Sequence, residues 1–264
     1  MKNSNARTEK TGTSKTKKLV IAALFAALSL VVKPFELYIL PVARFNFVGI
    51  PIIMSGVLLG PVWGGAVGLV ADLAGFLFLN KSGMAINPVV TFANVLLGII
   101  PGLVYLKSKK NEGKTPKYNV LNILIYFVLL ILVAALLFFT GSMTLKDGAL
   151  YMLSPSSGEL TRVSWIVVAL VAAAFAAYSV GVIAMVVGKG KTDLQKGILP
   201  KLLFAVTSAM IIGDIIVSGI GLGLQYGWPL SLMLVVRIIK SFFAIPVYTL
   251  VSWVIYKAIG RFKI

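Results

Sequence analysis

The sequence predicts an all-α integral membrane protein with eight spans, and three observations carry that expectation. Of its 264 residues, 59% are hydrophobic and only 12% are charged, a balance that fits a polytopic membrane chain and not a soluble core. Most cations gather between long apolar runs, in four clusters: Lys2, Arg7, Lys10, Lys15, Lys17 and Lys18; Lys107, Lys109, Lys110, Lys114 and Lys117; Lys189, Lys191, Lys196 and Lys201; and Lys257, Arg261 and Lys263. These clusters fall at alternate crossings, whereas Lys33, Arg44, Lys81, Lys146, Arg162, Arg237 and Lys240 fall on the other side. That is the positive-inside pattern, with both termini cytoplasmic. The net charge of +17 has no aromatic-interleaved basic surface behind it, so nucleic acid is not an expected partner. Cysteine and histidine are absent, which removes thiol catalysis, disulfides and metal sites built on those ligands.

Residues 1–18 are polar and basic and read as a disordered cytoplasmic tail, leaving 19–264 as a single transmembrane domain. The apolar run 19–32 resembles a signal-peptide core, yet no small-x-small cleavage site follows it, so it is expected to remain as the first span. Within it Ala22, Ala23, Ala26 and Ala27 form two overlapping A-x-x-x-A pairs. Such a smooth stripe suits either docking of a partner's helix or packing inside the bundle. Residues 33–42, interrupted by Pro34 and Pro41, are too short to span and read as an outer loop lying over the bundle.

Spans two and three, 46–59 and 62–79, descend and return around Gly60-Pro61. Gly56, Gly60, Gly64 and Gly68 recur every four residues and Gly75 extends the same side, so backbones can approach closely there. Asp72 continues the series and is expected on the packed face, where an intramembrane carboxylate needs a partner or a cavity. Arg44 is its candidate partner. At ~1.5 Å per residue Asp72 lies roughly 18 Å and Arg44 roughly 24 Å above the turn, on antiparallel helical arms. The two form a charge pair that fixes packing, or jointly border a pocket.

Residues 80–88 read as an outer loop with turn chemistry at Ser82-Gly83 and a proline opening the next helix. The fourth span, 89–106, carries Thr91 and Asn94 three apart on one face near its outer end. Two further apolar segments, 120–139 and 163–187, hold almost no polar side chains and are expected to be peripheral, lipid-facing helices, an inserted pair within 119–188. The penultimate span, about 199–223, contains a second intramembrane carboxylate, Asp214. The last, 230–259, has Arg237, Lys240 and Ser241 about two turns inside its outer end, with Arg237 and Ser241 four apart.

These side chains suggest an outward-facing site for a small carboxylate-bearing ligand. Arg237 and Lys240 would receive the carboxylate, with Lys81 in a covering loop. Asp72 or Asp214, with Thr91 and Asn94, would meet the donor-rich end of a ring, and Phe35, Tyr38 and Trp228 would supply stacking surface. Pairing of Arg237 and Lys240 with Asp214 or with lipid headgroups is the alternative.

The alanine stripe, ARFNFVGIPIIMSGVLLGPVWGGAVGLVADLAG at 43–75 and RIIKSFFAIPVYTLVSWVIYKAI at 237–259 resemble the substrate-binding S components of energy-coupling factor (ECF) transporters, folate-family subset. With the fourth span, the resemblance covers roughly 18–106 and 199–260. It implies a six-helix bundle in a bacterial-type cell membrane, with a vitamin pocket near the outer face and no cofactor of its own. ATP is used by partners: a transmembrane coupling subunit, docked through first-span alanines, and two ATPase subunits. The absence of a G-x-x-x-x-G-K-[ST] phosphate loop agrees. The inserted pair departs from the family, as does IIGDIIVSGIGLGLQYG in place of the folate members' Asn- and Trp-containing fifth helix. Two other classes stand beside this reading. A self-sufficient secondary transporter of a small organic anion usually shows an internal repeat, and none is evident. A membrane enzyme would need a nucleophile and base, a carboxylate dyad or a phosphate loop.

Overall fold

A computed structural model describes residues 5–40, 43–79, 86–109, 115–139, 143–146, 149–153, 159–165 and 193–259, with 169, 173, 176, 179 and 180. Helix α1, Asn5–Val32, starts within the stretch read as a disordered tail. Pro34 follows its last turn, and the alternating ELYIL sequence then enters a hairpin of β1, Glu36–Leu40, and β2, Ala43–Asn46. The expected outer loop is therefore largely a β-hairpin. Arg44 pairs with Tyr38 across it and is not on a helical arm, because α2, Gly49–Leu59, begins only five residues later.

Gly60 joins α2 to α3, Pro61–Leu79, at φ 100°, a left-handed conformation that favours glycine, and Pro61 occupies the first helical position. α4 is Pro88–Lys109. Asn87 caps it, its Oδ1 accepting from the backbone N–H of Val89 at 3.0 Å and of Val90 at 3.3 Å. The Asn87 amide also donates to the Gly221 carbonyl at 2.8 Å, tying this end of α4 to the penultimate span. α3 and α4 run antiparallel at near-backbone contact: a Cβ at Gly98 would stand 2.0 Å from the Gly64 carbonyl oxygen, and one at Gly68 2.2 Å from that of Asn94. Gly64 and Gly68 thus meet α4 as the spacing predicts, while Gly75 instead faces Lys33 at the end of α1.

α5, Thr115–Phe139, is less peripheral than expected. Tyr118, Asn122, Tyr126, Leu129 and Val133 form a buried stripe, and Val120, Leu124, Phe127 and Ile131 face outward. Asn122, 2% exposed, donates to the Pro200 carbonyl at 3.1 Å. A three-stranded antiparallel meander follows, β3 Met143–Lys146, β4 Ala149–Leu153 and β5 Leu160–Arg162. The bundle is helical as expected, and two small sheets in its connections are the addition the sequence did not announce. Most of the expected span 163–187 lies outside the described residues. α6, Asp193–Ala209, continues through a π-helical stretch, Met210–Ser218, into α7, Gly219–Tyr226, and α8, Leu230–Ile259, returns beside it.

Among the described residues, four helices are long and apolar enough to cross a membrane: Pro61–Leu79, Pro88–Ser108, Ile198–Tyr226 and Met233–Ala258. Gly49–Leu59 and Lys117–Val133 are shorter apolar helices. The core gathers where α2, α6 and α8 meet, around Ile52, Ile53, Met54, Leu202, Val206 and Ile245.

Candidate functional site

At the end of the bundle where α1 and α3 finish and α4 and α8 begin, the helices part around a cavity of about 430 Å³. Two carboxylates face it, each from a different helix pair. On one wall, Asp72 projects from α3 toward α4, because it sits one turn beyond Gly68 on the packed face. Thr91 Oγ1 donates to its Oδ2 at 2.6 Å and Asn94 Nδ2 to its Oδ1 at 2.9 Å. Thr91 and Asn94 share a face of α4, so one carboxylate satisfies both. Asp72 and Asn94 line the cavity; Thr91 stands behind Asp72 and holds it.

On the other wall, Asp214 emerges from the π-helical stretch toward α8. Arg237 Nη1 donates to its Oδ1, and Lys240 Nζ lies 2.9 Å from Oδ1 and 2.7 Å from Oδ2. The side chains of Arg237 and Lys240 are 14% and 12% exposed, so both cations are largely withdrawn from solvent. One carboxylate between two cations leaves this wall with a formal charge of +1. The alternative pairing raised by the sequence is thus present, and it coexists with exposure of all three groups to the cavity.

Trp228 lines the mouth together with Tyr226, their ring centroids 5.7 Å apart and the planes tilted by 38°. Gly227, at φ 66°, makes the turn that sets both rings on the same side. Phe35 is 67% exposed and does not line the cavity. Lys81 lies outside the described residues, as do the side chains of Tyr38 and Arg44, so the expected Arg44–Asp72 contact falls there too. What the described residues place on Asp72 is Thr91 and Asn94.

Sequence reasoning missed Lys33, Tyr226, Asn46 and Tyr248, all of which line the cavity. Tyr248 had a signal: it falls three helical turns past Arg237, on the same face of α8. Its hydroxyl donates to the Asn46 carbonyl at 2.5 Å, closing the floor between α8 and the start of α2. Lys33 had none, because its reach depends on the empty space at Gly75.

The alanine stripe on α1 divides. Ala22 and Ala26 are buried in the core with Phe25, whereas Ala23 and Ala27 are exposed beside Val20, Leu24 and Val31. Packing inside the bundle therefore accounts for Ala22 and Ala26, and it leaves Ala23 and Ala27 on the outer surface.

A family model described as "ECF transporter, substrate-specific component" matches residues 17–157, just over half of the chain. Among curated proteins, one described as "Uncharacterized protein MG313 homolog", from Mycoplasma pneumoniae, is 29% identical over 126 residues. That alignment takes in 46% of this chain and 43% of the relative, so the chain spans less than half the length of the protein it matches. No solved structure matches the chain. A multi-pass bundle whose helices part around a polar cavity, with the family model running from the first span into the meander, leads to one assignment: this chain belongs to the substrate-specific components of ECF transporters.

Proposed function

We propose that the chain captures a small, flat, carboxylate-bearing vitamin, folate or a related acid, at the outer face of a cell membrane. It then passes the vitamin to an ECF energising module, a transmembrane coupling subunit with two ATPase subunits, for ATP-driven uptake. One observation carries the reading: a single cavity presents a +1 wall of Arg237, Lys240 and Asp214, a hydrogen-bonded carboxylate at Asp72 and the aromatic pair Tyr226 and Trp228. The +1 wall suits the carboxylate, Asp72 suits the donor-rich edge of a ring, and the aromatic faces suit the ring itself.

Orientation follows from charge. Lys18, Lys107, Lys117, Lys201 and Lys257 all lie toward the end marked by the Gly60-Pro61 turn, opposite the cavity. The positive-inside tendency puts that end in the cytoplasm and opens the cavity outward, with both termini cytoplasmic. We read the whole as eight spans, the inserted pair being α5 and the segment 163–187. Single cysteines replacing Lys107 and Lys146, which flank α5, are expected to react with an impermeant thiol reagent from opposite sides of the membrane. Labelling of both from one side would remove the α5 crossing.

Docking falls to the outward half of the alanine stripe. Ala23 and Ala27 leave a shallow groove between Val20, Leu24 and Val31 that a partner helix can enter. Ala23→Trp is expected to abolish uptake and co-purification of the ATPase subunits while the solitary subunit still retains its small molecule, detected by mass spectrometry. Loss of the retained molecule along with the partners would make Ala23 a packing residue. Purification of a transport-competent protein without any ATPase would favour the self-sufficient transporter.

A further inference from the structure

We propose that Lys33 and Asp72 act as a split charge pair that reads a neutral donor–acceptor edge of the ligand, a lactam or amide, with Lys33 selecting the acceptor. The proposal rests on the ligand reading above and assigns a specificity-determining role to Lys33.

Both residues line the cavity, and neither has an ion-pair partner among the described residues. Lys33 follows the last turn of α1, and its side chain lies across α3 in the space that Gly75 leaves open. A Cβ at Gly75 would stand 2.2 Å from Nζ, 2.7 Å from Cδ and 2.9 Å from Cε. Asp72 and Gly75 are three apart on α3, where side-chain positions stand about 5–6 Å from one another. Ammonium and carboxylate therefore occupy neighbouring positions of one face of α3 without forming an ion pair, so one ligand edge can address both.

The chemistry at the two points is complementary and fixed. The ammonium can only donate and the ionised carboxylate can only accept. An edge that turns an N–H toward Asp72 and an adjacent carbonyl oxygen toward Lys33 satisfies both. An edge with two donors leaves the ammonium facing another donor, at the cost of an unmade hydrogen bond. The charges agree with this division of labour. Lys33 and Asp72 cancel, so that wall prefers a neutral polar edge, while the Asp214 wall retains its +1 for the carboxylate.

Folate and 4-amino-4-deoxyfolate test the idea: in the second the ring carbonyl becomes an amino group and the adjacent ring nitrogen loses its proton, while both keep the 2-amino donor for Asp72. Calorimetry on the purified full chain should show folate binding roughly tenfold or more tighter, as one hydrogen bond to a charged group predicts. Lys33→Met should bring the two affinities closer by about tenfold and Lys33→Arg should keep them apart. Gly75→Ala leaves the charge in place but displaces the ammonium, and should reduce the preference as Lys33→Met does. Equal affinities in the wild type, or a preference undiminished in Lys33→Met, would overturn the role of Lys33 while leaving ligand capture intact. Binding of neither probe to the wild type would overturn the folate-like reading itself and this proposal with it.

Discussion

Gly98→Leu will prevent recovery of folded protein from the membrane. The Cβ of any replacement at this position would stand 2.0 Å from the Gly64 carbonyl oxygen and 2.8 Å from the Gly65 nitrogen. Both neighbours are backbone, so no rotamer change relieves the overlap and α3 must move off α4. Overpacking in a core typically costs ~1–3 kcal/mol when side chains can adjust. Here the separation would also strip Asp72 of Thr91 and Asn94, because the two hydrogen bonds span the same helix pair. The expected readout is loss of the monodisperse peak in fluorescence-detected size exclusion. Gly60→Ala, whose Cβ would have nothing within 4 Å, is strained through its φ of 100° alone and serves as the milder comparison. A folded Gly98→Leu protein would show that α3 and α4 do not meet as closely as described.

Asp214→Ala should be the most damaging single change in the cavity wall. It leaves Arg237 and Lys240 adjacent, largely buried and without their shared counter-charge. Removing one side of a buried charge cluster typically costs ~3–5 kcal/mol. Arg237→Ala has a different consequence, since Asp214 keeps Lys240 and the wall becomes neutral. Stability should change far less, while affinity for a carboxylate ligand should fall by at least ~1.5 kcal/mol, the low end for a hydrogen bond to a charged group. Thermal unfolding in detergent separates the two variants by stability, and calorimetry with folate and a neutral amide analogue separates them by binding. Equal thermal losses would mean that Asp214 is not the centre of the cluster. Unchanged affinity for the acid in Arg237→Ala would remove the carboxylate from that wall.

Much of the bundle was legible because apolar length, glycine spacing and cation placement are one-dimensional signals. The Gly60-Pro61 turn, Asp72 on the packed face, the proline opening α4 and the shared face of Thr91 and Asn94 all follow from spacing alone. Other features turned on what two distant segments leave between them. Lys33 reaches the cavity only because residue 75 has no side chain, and half of the alanine stripe is hidden only because α2 and α3 pack on that side of α1. The hairpin of β1 and β2 is not legible from length, because its apolar residues are too few for a membrane span and only their pairing with the following segment makes them strands. Asn122 was overlooked inside an apolar run, where one amide changes the face that must be buried.

The π-helical stretch Met210–Ser218 has a consequence for how the penultimate span divides its labour. Hydrogen bonding five residues back widens each turn, so residues four apart no longer stack on one line. Adjacent positions can then serve different neighbours. Gly213 rests on Ala93 and Leu97 of α4, while Asp214 beside it addresses Arg237 and Lys240 of α8. The slower rotation also carries forward: beyond Ser218 the rod presents a different meridian to the bundle than an unbroken α-helix would. It brings Gly221 against Val89 of α4 and ends with Tyr226 over the cavity mouth. The phase lag collected over those nine residues thus sets where the roof of the site lies relative to its charged wall.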